Sequence, residues 1–290
     1  SDTLTLGNDI TVQGDLTITA GTLASGTKNI TLAGILNNSG IFNAGKGTVI
    51  FNKSSGVQTL NSGGSNFYAI THNAAGTLQL TTNNLTVTNA FTNSAGGFDL
   101  NNKNWTMTNA TFSNNGGTVK LRGSEIVTGL AQDTTAGTWL YVGNPDGLAT
   151  TVTLLDFGAT DYYNLTINTT DTNDIIQSLA AKSIAGVLTI SSGTYGANGN
   201  TTTVTGLATV SGGTYLASTA TQTFNGGLTI SGGTFTGSNG AVDVNGNLTF
   251  SLGTLTAPSG AFTVSGNWSR TGGTFTPGTN TVTFDGAGTS

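Results

Sequence analysis

Seven of the 13 acidic residues fall between Glu125 and Lys182: Glu125, Asp133, Asp146, Asp156, Asp161, Asp171 and Asp174. Acids gathered in this way raise the question of glycosidic hydrolysis, which uses two carboxyl groups about 5–10 Å apart. The chain repeats itself, so two acids would reach that separation by standing in one column of consecutive repeats. None meets the spacing. Asp156 and Asp174 are 18 residues apart, Asp161 and Asp171 are 10 apart, and Asp243 has Thr223 and Thr263 as its column neighbours. No basic residue is read beside these acids as the base of a lyase. The residue types therefore point away from an enzyme, and no catalytic residue is assigned.

Other chemistry is weighed on the same terms. His72 is the only histidine, so no multi-histidine metal site can be built and no triad is read around it; it is expected at a half-buried strand position. Asp171 and Asp174, with Asn173 between them, offer the hard oxygen donors that calcium takes, but in neither the EF-hand nor the glycine-rich nonapeptide spacing. A solvated turn is the expectation there, and no cofactor is assigned. Trp139, Tyr141, Tyr162 and Tyr163 lie in or beside the acidic stretch and are the candidates for stacking on a glycan. Thr234–Thr236, Thr254–Thr256 and Thr274–Thr276 form Thr-x-Thr words of the kind that line ice-binding faces. Their central residue is bulky, and the pattern decays to Thr214-Tyr215-Leu216 and Thr194-Tyr195-Gly196.

The elements that would position these groups are written most clearly in the last hundred residues. Glycine recurs at Gly186, Gly206, Gly226, Gly246, Gly266 and Gly286, and threonine at Thr194, Thr214, Thr234, Thr254 and Thr274, both at a step of 20. Apolar residues keep the same step. Leu188, Ala208, Leu228, Leu248 and Trp268 form one column, with Ile190, Val210, Ile230 and Phe250 two residues on. Side chains two apart on a strand share a face, so both columns point inward. A second strand supplies Tyr195, Tyr215, Phe235, Leu255 and Phe275, and a third supplies Val204, Phe224, Val244, Val264 and Phe284. The expected core is therefore Leu188, Ile190, Leu228, Ile230, Phe235, Leu248, Phe250, Trp268 and Phe275. Short β-branched words repeating about every twenty residues, with glycine at the corners, specify a solenoid. The expected fold is all-β: a parallel β-helix with three short strands per coil.

The amino-terminal coils use the same words, since GDLTITAGTL at 14–23 matches GGLTISGGTF at 226–235. Gly56, Gly76, Gly96 and Gly116 then run two residues out of phase, which predicts one longer coil between Gly45 and Gly56. NFYAITHN at 66–73 is echoed by DYYNLTIN at 161–168, and GTVIFNKSSG at 47–56 by NTVTFDGAGT at 280–289. The chain is thus read as one solenoid over 1–290. It divides into amino-terminal coils (1–124), irregular coils with longer acidic loops (125–185) and regular coils (186–290). DIIQSLAAKSIAG at 174–186 is the one helix-like run. The opening SDTLTLG and the stop inside the second echo are read as a processed or excised piece of a longer repetitive protein.

Charged residues make up 7% of the chain, against about 25% in ordinary domains. The net charge is −5, so no basic face exists for phosphate, and nucleic acid is excluded as a partner. Cysteine is absent, and no apolar run reaches the roughly 20 residues of a membrane span.

The words GTVIFN…GVQTL, FYAITHN and LTISGGTF resemble the repeats of large bacterial cell-surface β-helix proteins. These include filamentous-haemagglutinin-like adhesins and autotransporter passenger regions. The resemblance implies a right-handed β-helix, an extracellular or cell-surface location, and a role as stalk, adhesin or envelope-layer component. It carries over no site residues. The expected function is structural or adhesive and non-catalytic, with partners being further copies, adjoining repeats of a longer chain, or surface glycans. Two alternatives stand beside it: a carbohydrate-active β-helix enzyme using acids in 125–174, and an ice- or glycan-binding module using the threonine face.

Overall fold

The computed structural model describes residues 2–287. Among them no helix forms, and strands of mostly three to five residues stack in parallel on their copies one coil later. The fold is a β-solenoid of about 14 turns with three strands per coil. Its coils group into two compact units, Ser1–Thr138 and Trp139–Ser290, so the stretch read as irregular is shared between them. The carboxy-terminal echo runs on into Gly288 and Thr289, which lie outside the described residues.

In the second unit one face carries strands at 164–168, 188–192, 208–210, 228–230, 248–250 and 268–270. A second face runs from 151–153 to 274–276, and a third from 182–184 to 282–284. The register is the one the repeat dictates: Leu188 pairs with Ala208, Ala208 with Leu228, Leu228 with Leu248 and Leu248 with Trp268. Tyr195, Tyr215, Phe235, Leu255 and Phe275 pair in the same way on the second face. Because each strand is flanked by copies of itself, its inward side chain meets a similar one above and below. Leu188, Ile190, Leu228, Ile230, Phe235, Leu248 and Phe250 are fully buried. Trp268 and Phe275 are only half-buried, because no coil covers them among the described residues.

The 20-residue glycine column has a steric cause. A side chain at Gly206 would strike the carbonyl of Gly186, one at Gly226 the backbone of Gly206, and one at Gly266 the carbonyl of Gly246. Main chain stacks directly on main chain at this corner, and only glycine leaves room for it.

In the first unit the three faces carry strands from 3–5, from 10–12 and from 16–18 onward. The expected long coil is present. Leu36 pairs with Leu60, 24 residues on, while Ile30 pairs with Val49, 19 on, which places the extra residues between Phe51 and Val57. The helix-like run at 174–186 is instead two strands, Ile175–Gln177 and Lys182–Ile184. Ladder partners on both sides of the first, at 151–153 and 194–196, outweigh its local propensity.

Candidate functional site

The outward positions of the regular coils are rows of hydroxyls. Thr189, Thr209, Thr229, Thr249 and Ser269 stand in register on the first face. Thr194, Thr214, Thr234, Thr254 and Thr274 do so on the second. There Thr236, Thr256 and Thr276 add a parallel row over three coils, while Phe235 and Leu255 between the rows point inward. Asp243 sits in an outward row between Thr223 and Thr263, and Thr263 Oγ1 donates to its carboxylate at 2.7 Å.

The acids of the irregular stretch do something different. All seven accept backbone N–H groups that have lost a ladder partner. Glu125, almost wholly buried, takes those of Asn102, Arg122 and Gly123 at 2.8–3.0 Å. Asp133 takes the N–H of Asn114 at 2.8 Å. Asp174 is fully buried and ties down the loop at 143–150 through Asn144 N and Thr150 N, at 2.9 and 2.8 Å. Asp171 holds Gly147 N of the same loop at 2.7 Å, and Asp146 holds Leu148 N at 2.9 Å. The turn expected to be solvated is not so at Asp174, which is fully buried, and the oxygens of Asp171 and Asp174 accept amide donors of the 143–150 loop. Among the described residues no cluster of three or more metal-ligating side chains occurs.

The glycan reading is corrected for three of the four aromatics. Trp139, Tyr141 and Tyr162 are buried, and Tyr163 is half-buried, so the first three present no face to a sugar. Their work is internal. Tyr162 Oη donates to Leu155 O at 2.7 Å, Tyr141 Oη accepts from Leu155 N at 3.0 Å, and the two hydroxyls meet at 3.1 Å. The pair supplies the missing ladder bonds of Leu155. Trp139, Phe157 and Tyr162 pack against one another with ring centroids 5.0–6.1 Å apart. A polar seam continues into the next coils, where Tyr195 Oη and Thr202 Oγ1 meet at 2.8 Å and Tyr215 Oη donates to Gln222. Burial raises the hydroxyls of Tyr162, Tyr195 and Tyr215 above the ordinary phenol range.

The densest chemistry lies at Lys182, which the sequence reading left out when it found no base beside an acid. Lys182 Nζ is wholly buried, 3.2 Å from Asp161 Oδ1 and 3.4 Å from Asp156 Oδ1. Asp161 is wholly buried too, whereas the Asp156 side chain is 53% exposed. Main-chain N–H groups fix the carboxyl of Asp161, Phe157 N on Oδ1 at 3.1 Å and Ser183 N on Oδ2 at 2.9 Å. Burial raises Asp161 above the usual carboxylate range, and its side chain is hydrogen-bonded to that of Asp156. Asp156 is held below that range, first by the N–H of Gly158. The signal was in the spacing: Asp161 and Lys182 are 21 residues apart, one coil.

In the first unit His72 is fully buried, not half-buried, and its Nδ1 lies 2.9 Å from Asn93 Oδ1. Asn93 Nδ2 donates to Asn114 Oδ1 at 3.0 Å, making an internal polar column one residue per coil. Burial lowers the His72 imidazole below its ordinary value.

Comparison of the chain with protein-family models, with curated proteins and with solved structures finds no match.

Proposed function

We propose that the chain is a non-catalytic structural or adhesive protein of the cell surface, a stiff rod whose coils take up further coils from a second copy or from adjoining repeats of a longer chain. The observation that carries this reading is the self-stacking of the second unit, where each strand is flanked by its copy 20 residues on. Strands 268–270, 274–276 and 282–284 each stand last in their ladders among the described residues, with one edge unpaired. They surround an opening of about 690 Å³ in which Val264, Trp268, Phe275, Val282 and Phe284 lie beside Asn247, Ser265 and Asn267. Phe284 is 54% exposed. Unpaired edges beside uncovered apolar surface are a template for another strand set, and the low charge offers little to repel it. Each added coil brings a further set of ladder bonds and a further slice of core, so stiffness grows with coil number. An adhesin-like or envelope-layer role is the form of this function that the repeat words support.

Negative-stain electron microscopy of the purified chain across a concentration series tests the reading. Filaments of uniform width, lengthening with concentration, are the expected outcome, and Phe284→Asp together with Trp268→Asp should abolish them. Isolated particles at every concentration would overturn the self-pairing.

A second reading rests on the paired threonine rows at 234–276: a face of regularly spaced hydroxyls that binds a glycan or an ice surface. A glycan array and an ice-recrystallisation assay on the wild-type chain separate the two ligands, and silence in both would remove the reading.

A further inference from the structure

We propose that Lys182 and Asp161 condense to an amide, joining two neighbouring coils through their side chains, with Asp156 relaying protons. The inference does not depend on the surface role, because it rests on the geometry of three side chains.

The amine and the carboxyl are both wholly buried and 3.2 Å apart, held there by the fold. Groups fixed in this way react with effective molarities on the order of 10⁵ M or more. One proton passed from Nζ to the carboxylate within the pair gives the amine and the acid that combine, and a dry interior penalises the separated charges. Asp161 is raised in that sense by its burial.

The surrounding donors fit the steps. Ser183 N–H holds Asp161 Oδ2 at 2.9 Å and polarises the carbonyl, as a donor placed where negative charge develops. Lys182 Nζ attacks Cγ, a C–N bond forms, and Oδ2 carries the negative charge of the tetrahedral intermediate. Asp156, 3.4 Å from Nζ and hydrogen-bonded to the Asp161 carboxyl, takes a proton from nitrogen and returns it to Oδ1. The Cγ–Oδ1 bond then breaks and water leaves. The sum is one amine plus one carboxylic acid giving one amide plus one water, with no change of oxidation state. The 53% exposure of Asp156 gives that water a way out.

The position in the fold supplies a reason for such a bond. On the third face, the ladder that begins at 182–184 meets the preceding coil through the isolated bridge from Tyr162 to Ile184, with Asp161 N and Tyr162 N on Ser183 O, Ala185 N on Tyr162 O and Gly186 N on Tyr163 O at 2.7–3.2 Å. A covalent link from Asp161 to Lys182 would add a side-chain tie at the first strand of that ladder.

Mass spectrometry of the folded full chain decides the matter. The expected result is an intact mass lower than the sequence mass by one water. Trypsin should fail to cut after Lys182, and a branched peptide should join the segments bearing Asp161 and Lys182. Lys182→Met and Asp161→Ala should each restore the sequence mass, and Asp156→Asn should slow bond formation on the order of 100-fold. Wild-type protein at its full sequence mass, with trypsin cutting after Lys182, would overturn the proposal. So would a water loss mapped to Asp146-Gly147 or Asp285-Gly286, where an aspartate can close on its own backbone. Both readouts come from the wild-type chain, so they hold even where a variant fails to fold.

Discussion

Within the second unit, the coils at 188–264 and the stretch at 139–185 solve the same problem in opposite ways. In the regular coils each backbone group finds its copy one coil away, and the interior is left to Leu, Ile, Val and Phe. In the irregular stretch the copies do not align, and side chains take over. Asp174 and Asp171 hold the 143–150 loop, Tyr141 and Tyr162 hold Leu155, and Asp161 holds Phe157 and Ser183. The acids of this chain are thus concentrated where the repeat fails, because a buried N–H without a partner costs about 1–3 kcal/mol. Their clustering is a property of backbone satisfaction before it is one of chemistry.

The strongest way to break this contrast is at Lys182. Lys182→Met takes from two carboxyls, one of them wholly buried, the nitrogen they face, and should lower stability by about 3–5 kcal/mol. Urea unfolding of the second unit would measure it. A loss within the range of surface changes would mean that the irregular stretch does not need Lys182.

The regular coils should fail by a steric route. Gly226→Ala places a methyl group against the backbone of Gly206, and overpacking of this kind costs about 1–3 kcal/mol. Gly14→Ala meets nothing within 4 Å and should stay within about 0.5 kcal/mol of the parent. Equal effects at the two positions, read from thermal melts, would show that the 20-residue glycine column is not fixed by coil contact.

The smallest effect concerns the buried polar column of the first unit. Burial depresses His72 in the folded state, so its unfolded form binds a proton more readily. Stability from this group is complete above pH 6.5, the ordinary value, and falls as the pH drops towards the folded value. His72→Asn would continue the Asn93 and Asn114 column and should flatten that slope below pH 6.5. An unchanged slope in the variant would assign the acid sensitivity to other groups.

Where the repeat is regular, nearly everything was legible in the sequence: strand positions, inward columns, register and the long coil near residue 52. One period fixes all of them at once, since each coil is both the template and the test of the next. Trp268 and Phe275 differ only because cover depends on what lies beyond them, which a column of residues does not encode. The irregular stretch was harder to read. Trp139, Tyr141 and Tyr162 looked like surface aromatics because they sit among acids, yet those acids face the main chain and the rings fill the interior. Lys182 was hidden inside a run that reads locally as helix, and its partner is visible only once the coil is allowed 21 residues instead of 20.

The outward rows of threonine and serine carry one more consequence. Salt acts on proteins largely by screening charge, over about 10 Å at 0.1 M and about 3 Å at 1 M ionic strength. A surface made of neutral hydroxyls, on a chain with 7% charged residues, gives such screening little to act on. Moving this protein from dilute buffer to brine should leave its outer chemistry almost unaltered.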